Sequence, residues 1–524
     1  MFSGAMEGRL NMDGTKNVVI SNIKVEQSGE MDPSRNIGVG FFGTISGQIS
    51  SESSKAIVKN ISLKDVTVSN SSNTMKPADP TLVGILVGTV GGVLGLVGGL
   101  LDWIIGSIPG VNDTVLGDLK LGDVLGELLN YRGKSEDSYA TGAFAGRVIG
   151  NVQISNCNVI NPSVSSETSF TGGFAGNVEG ETEYDGLTEA LKTTGASLTA
   201  VLNLLPGLGL GDLLPILLAN PHLVGLDHLI PIGYNAPSIE NCTVVMEKGT
   251  IGSTSTSFNG GFVGCQTGAT MDNCTVYGLD SVQASSYAGG FAGAIRDGAI
   301  EGLLSGGGID LFKDVIPKLR NMDPSAKNVN CKVNVPTEDK APVVWTVSAT
   351  NYAGGFAGIV ANSDITGAMV QGLSSVVASG NYAGGLTGRA TLGSGLISLG
   401  DEAAEGETDY SLLGQVKGLL QKVLTGESEK DLILLNVLGV SPSNIQSCTV
   451  TGDNLKVTAA DFAGGFIGQG DGVQVGRETD NVGNSVSNLT SVTATDGDYA
   501  GGAVSQMVPA NAAGVVDGML NAGN

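Results

Sequence analysis

The heptapeptide YAGGFAG occupies residues 287–293 and recurs unchanged at 352–358. Looser copies run along the chain: GVGFFG (38–43), YATGAFAG (139–146), FTGGFAG (170–176), FNGGFVG (258–264), YAGGLTG (382–388), FAGGFIG (462–468) and YAGGAV (499–504). The residue after the glycine pair, usually Phe, falls at 41, 144, 174, 262, 291, 356, 386, 466 and 503. The intervals are 103, 30, 88, 29, 65, 30, 80 and 37. Short and long steps alternate, so the unit is the short step and each long step is a unit carrying an insertion. Self-similarity at a fixed period marks a repeat architecture.

A second phrase falls between copies of the first: ISNCNV (154–159), IENCTV (239–244), MDNCTV (271–276), VNCKV (329–333) and IQSCTV (445–450). NISLKDVTV (60–68), ITGAMV (365–370) and VSNLTSV (486–492) are looser versions. A third short apolar piece follows, marked by Val164, Val282 and Val457. Each unit therefore holds three apolar pieces divided by Gly, Asn, Asp or Ser, too short and too β-branched for helices. Primed two-residue hairpin turns are missing. Three short strands per roughly 30 residues read as one coil of a parallel β-helix, an all-β solenoid. Coils would stack about 4.8 Å apart, wound right-handed by the chirality of strand connections. The whole chain, 1–524, reads as one such solenoid.

Stacked coils place equivalent residues over one another. Phe144, Phe174, Phe262, Phe291, Phe356 and Phe466 would form an internal aromatic ladder. The glycines before them suit a tight corner. Five of the six cysteines (Cys157, Cys242, Cys274, Cys331 and Cys448) share one slot of the second phrase, and only Cys265 differs. A disulfide framework scatters cysteines over unlike positions. A shared slot reads instead as a ladder of small buried hydrophobes. No Cys-x-x-Cys pair points to a metal. In I-x-N-C-x-V the Ile and Cys are three apart, so the chain must bend near the Asn to bury both. Asn tolerates the left-handed region, so Asn156, Asn241, Asn273 and Asn330 are read as a corner ladder. Glycan attachment at the NCT triplets is the other reading of these asparagines.

Twenty-seven basic against 51 acidic residues give a net charge of −24. Such a chain repels phosphate backbones, which excludes nucleic acid as a partner. MFSGAMEGRL lacks the basic and apolar regions of a secretory signal, and MLNAGN lacks a wall-sorting signal or anchor. An exported protein of this kind would be an internal fragment of a longer chain. Neither end shows a polar cap, so open coil edges and end-to-end self-association are expected.

Four apolar insertions interrupt the coils, at about 78–135, 181–235, 298–325 and 392–440. Thr81 to Leu101 is 21 residues without a charge, long enough to span a bilayer. Coils on both sides of it could not stay stacked across a membrane, which argues against a span. The segments 300–322 and 410–440 are amphipathic at helical spacing. Short helices docked on one flank, a partner-binding strip and a membrane segment are the three readings.

The motifs of common enzyme classes are missing from the sequence: no G-x-S-x-G, H-E-x-x-H, P-loop or EF-hand loop occurs. The two histidines, His222 and His228, are six apart, which is not a helical ligand pair. No catalytic residue, cofactor or metal is assigned, although GQGDGVQVG (468–476) is similar to a single calcium-binding nonapeptide turn.

The pairing of aromatic-A-G-G-F-A-G with I-x-N-C-x-V resembles the GLUG-type repeats of large bacterial surface proteins, the long adhesin-like proteins of gut Firmicutes and Actinobacteria. The resemblance covers the coils and leaves the insertions uncovered. It implies export, a β-helical stalk at the cell surface, and attachment to host, matrix or neighbouring cells through surface protein or glycan. The expected function is therefore structural and adhesive, not catalytic. Two rivals stand beside it. One is a polysaccharide lyase or hydrolase on the same fold; the other is a membrane-associating protein acting through the insertions.

Overall fold

The computed structural model describes residues 5–7, 18–29, 37–47, 55–72, 139–183, 233–298, 325–336, 343–391, 443–476, 483–497 and 499–508. These residues are all-β; among them there is no helix. Their strands build four long sheets of 9, 11, 9 and 9 strands, every neighbouring pair in them parallel. The coil around residue 280 shows the plan. Thr270–Asp272 lies in the first sheet, Thr275–Gln283 in the second, Tyr287–Gly289 in the third and Ala292–Arg296 in the fourth. The next coil repeats the sequence of sheets and pairs with it in register. Nine such coils stack among the described residues, a parallel, β-helix-like solenoid.

The sequence reading of three strands per coil divides differently in space. The Gly-Gly-Phe bend splits the first phrase into two strands, so YAG and AGxxx belong to different sheets. These two sheets approach each other through glycine. A Cβ on Gly354 would strike the carbonyl oxygen of Ala357, and one on Gly358 would sit 3.0 Å from the carbonyl oxygen of Tyr352. The second phrase is split too, at its left-handed corner: its opening residues lie in a first-sheet strand, as in Ser363–Thr366, and its closing residues join the third apolar piece in one long strand, as in Met369–Ala378. That strand still turns midway, because a residue there takes positive φ: Asn22, Asp65, Asn161, Lys248, Gly278, Asn334, Gly372, Asn454 and Asn488.

The core runs unbroken down the axis. Ile154, Cys157 and Val159 are all buried, as are Ile239, Cys242 and Val244 one coil on. Strict alternation would turn Ile154 and Cys157 to opposite faces. Asn156, at φ 52°, rotates the chain between them. Valine lines the far half of the long strands, from Val25 and Val68 through Val282, Val347, Val376 and Val457 to Val492.

The insertions at 78–135 and 392–440, and nearly all of 181–235 and 298–325, lie outside the described residues, as does the apolar stretch Thr81–Leu101. Their exit points are described. Three of the four leave after the fourth-sheet strands ending at 179, 296 and 391, all at one corner of the stack. Glu181–Glu183 and Gly233–Asn235 pair antiparallel and close the base of the second. Among the described residues, no helix is long and apolar enough to cross a membrane. A further interruption, between Asn334 and Trp345, divides one second-sheet strand in two.

Candidate contact face

The repeated residues of the sequence gather into columns. Phe144 and Phe174 lie with ring centroids 4.5 Å apart, Phe174 and Phe262 4.8 Å, Phe262 and Phe291 4.9 Å, and Phe291 and Phe356 4.9 Å, all nearly parallel. Leu386 takes the next slot and Phe466 the one after, both buried. Phe42, rather than Phe41, reaches Phe144 at the head of the column.

The five cysteines of the second phrase are buried and carry free thiols. Cys157, Cys242, Cys274 and Cys331 belong to four consecutive coils, whereas Ala368 separates Cys448 from them. Each thiol donates to the carbonyl oxygen two residues earlier, at 3.1–3.6 Å. Burial pushes the Cys242, Cys274 and Cys331 thiols well above the ordinary range and Cys448 to about 11. Cys157 moves down, because the Cys242 side chain hydrogen-bonds to it. Asn156, Asn241, Asn273 and Asn330 all take φ of 50–53° on the outer corner. The amide of Asn273 donates to Asn241 at 2.7 Å.

A second aromatic column was not visible as such in the repeat phrase. The aromatic that opens each YAGG stacks outside the main core. Phe170, Phe258, Tyr287, Tyr352, Tyr382, Phe462 and Tyr499 follow one another at 4.5–5.1 Å. This column covers Cys265, Ala294 and Ile359, which accounts for the one cysteine outside the shared slot. Two cations meet its rings, Arg296 at 5.9 Å over Phe258 and Arg389 at 5.2 Å over Tyr382. The signal lay in the first letter of the phrase, which is always Tyr or Phe when the glycine pair is intact.

Charged groups beside this column are committed to each other across coils. Arg147 pairs with Glu179 at 2.7 Å and Arg389 with Asp471 at 2.6 Å. Asp471 is the acid of the calcium-like GQGDGVQVG turn, so its carboxylate already holds a guanidinium. Burial pushes Asp297 up to about 7, against the amide of Asn362, which donates to it at 2.9 Å. Among the described residues, no group of three or more His, Cys, Asp or Glu could hold a metal ion.

The surface that repeats most regularly is the outer side of the valine-lined half of the second sheet. Strand alternation turns the residues on either side of each valine outward. The triplets read Thr67-Val68-Ser69, Ser163-Val164-Ser165, Ser281-Val282-Gln283, Thr346-Val347-Ser348, Ser375-Val376-Val377, Lys456-Val457-Thr458 and Ser491-Val492-Thr493. The register carries one outward row from Lys24 through Thr67 to Ser163, and again from Thr250 through Ser281, Thr346, Ser375 and Lys456 to Ser491. The second row runs Glu26–Ser69–Ser165 and Gln283–Ser348–Val377–Thr458–Thr493. Thr67, Ser163, Ser165, Thr250, Thr346 and Thr493 are exposed. The hydroxyls of Thr250 and Ser281 lie 3.0 Å apart. In these rows Lys24 pairs with Glu26 at 2.7 Å, leaving Lys456 as the remaining charged residue.

The face is thus a grid of hydroxyls, about 4.8 Å between coils and roughly 7 Å along each strand. Each hydroxyl can donate one hydrogen bond and accept others. Such a grid can hydrogen-bond a neutral polar partner along its length. It holds no constellation of nucleophile and base.

No family model, curated protein or solved structure matches this chain.

Proposed function

We propose that this chain is a non-catalytic cell-surface repeat protein, a stalk and adhesion module that contacts host, matrix or neighbouring cells. One observation carries the reading: nine stacked coils hold the outward rows in two runs in register, Lys24 to Ser163 and Thr250 to Ser491. A stack of this kind is stiff along its axis, and it spaces identical groups for contact. The GLUG-like phrases support the same role and an extracellular site for it. The rod winds right-handed, the hand that parallel strand connections take. Three of its apolar insertions leave the coils at one corner of the stack, so they add to the contacts of that flank. End-to-end self-association of such stacks belongs to the same reading.

The test uses the full chain on polystyrene beads, offered to host epithelial cells and to bacterial cells. Retention of coated beads well above albumin-coated beads, with no new reducing ends in a mixed polysaccharide digest, supports the reading. Absent retention, or steady release of reducing ends, sinks it and favours the β-helical lyase or hydrolase.

A further inference from the structure

We infer that the hydroxyl grid of the second sheet binds a neutral, linear polysaccharide laid along the solenoid axis. This rests on the contact role proposed above and names its ligand class. Three properties of the grid lead to it.

The first is periodicity. The rows offer the same chemistry once per coil, from Thr250 through Ser281 and Thr346 to Ser375. A partner gains from such repetition only if it repeats along the same axis. A polysaccharide does so, and an extended pyranose unit is close to one coil spacing in length. The surface of a globular protein without repeats has no such period.

The second is charge. The chain carries −24 overall, yet the two rows hold one ion pair and Lys456 among twelve hydroxyls. An anionic polymer would meet the repulsion of the whole molecule with almost no local cation to offset it. A cationic partner would be drawn to acidic surfaces elsewhere. An uncharged partner is what this face selects.

The third is hydrogen-bonding character. Ser and Thr hydroxyls rotate to donate or accept as required, and sugar hydroxyls do the same. The aromatic rings that could stack on a sugar face are instead stacked on each other, as Tyr287 is on Tyr352. Binding therefore builds up from many modest hydrogen bonds, each worth a few-fold in affinity. Strong dependence on ligand length follows.

The experiment titrates the full chain with linear neutral oligosaccharides of glucose, mannose, galactose and xylose, from disaccharide to hexasaccharide. A galacturonate hexamer is the anionic control. At least one neutral series is expected to bind, with affinity rising about threefold or more for each added pair of sugars. The combined variant Thr250→Val, Thr346→Val, Thr458→Val keeps β-branched residues on the strands, so its melting temperature stays within a few degrees. It is expected to lose about tenfold or more in affinity. Thr366→Val, exposed on the first sheet, leaves binding unchanged. The inference is overturned if no neutral hexasaccharide binds, if length has no effect, if the triple variant binds as well as the parent, or if the galacturonate hexamer binds as tightly. Beads that adhere to cells while every hexasaccharide fails would remove the glycan reading and leave the adhesion role standing.

Discussion

Phe291 and Phe356 are 65 residues apart in sequence and lie face to face, their ring centroids 4.9 Å apart and their planes within 1°. The interval contains an insertion, yet Tyr287, Ala288 and Gly289 pair one-to-one with Tyr352, Ala353 and Gly354. The stacking unit therefore sets the register, and chain length between units does not.

The phenylalanine column predicts a graded response. Phe291→Ala leaves a void between Phe262 and Phe356 and should cost about 3–5 kcal/mol, as measured by chemical denaturation. Phe291→Leu should cost much less, since Leu386 already fills an equivalent slot in the buried column. Equal losses for both variants would show that the column is not a packing element.

Glycine at the back-to-back sheets predicts a positional contrast. Gly354→Ala places a Cβ against the Ala357 carbonyl oxygen, which is backbone and cannot swing aside. A loss of about 3 kcal/mol is expected, with broadening of the thermal transition. Gly483→Ala meets nothing within 4 Å and should stay within about 0.5 kcal/mol of the parent.

The thiol column predicts slow chemistry. Thiolate is the reactive form, and burial holds Cys242, Cys274 and Cys331 in the thiol form far above neutral pH. Iodoacetamide at pH 8 should leave these three unmodified in the native protein over hours, by intact-mass measurement. All six cysteines should react within minutes in denaturant. Rapid native labelling of Cys274 would mean that the coils open readily.

Much of this was legible in the sequence because a solenoid writes its spatial period into the chain. The aromatic, thiol and asparagine positions recur because each must lie over its own copy. Two features were hidden for a physical reason. Tyr352 and Phe356 sit in one phrase but face different clusters, and the recurring glycines mark the bend between them without telling which side each ring takes. The hydroxyl rows were hidden because Ser and Thr beside a strand valine look like ordinary solvent positions. Their alignment across coils depends on the second left-handed bend, at residues as unlike as Lys248, Gly278 and Asn454.

Asp297 predicts a pH response of unusual sign. In the unfolded chain this carboxyl titrates near 3.9; in the fold burial raises it to about 7. Between these values the unfolded state has released the proton and the native state keeps it. Stability should therefore fall as pH rises from about 4 to about 7, by a few kcal/mol. Asp297→Asn keeps a hydrogen-bonding side chain beside Asn362 and has no proton to lose. The difference in unfolding free energy between variant and parent should widen across that interval and then level off. A constant difference from pH 4 to 8 would mean that Asp297 is solvated.

The Arg389–Asp471 pair predicts non-additivity. Both side chains are largely withdrawn from water, at 7% and 13% exposure, and Arg389 donates through Nε and Nη2 to the same carboxylate oxygen. Removing one partner strands the other as an uncompensated charge, so Arg389→Met or Asp471→Leu alone should cost about 3–5 kcal/mol. The double variant replaces the pair with apolar groups and should recover most of that loss. The guanidinium also lies over Tyr382, so Arg389→Met retains bulk against the ring and isolates the charge. Chemical denaturation of the parent, both singles and the double gives the coupling energy. Single losses that simply add in the double variant would show that the pair is solvated and does not pin these coils together.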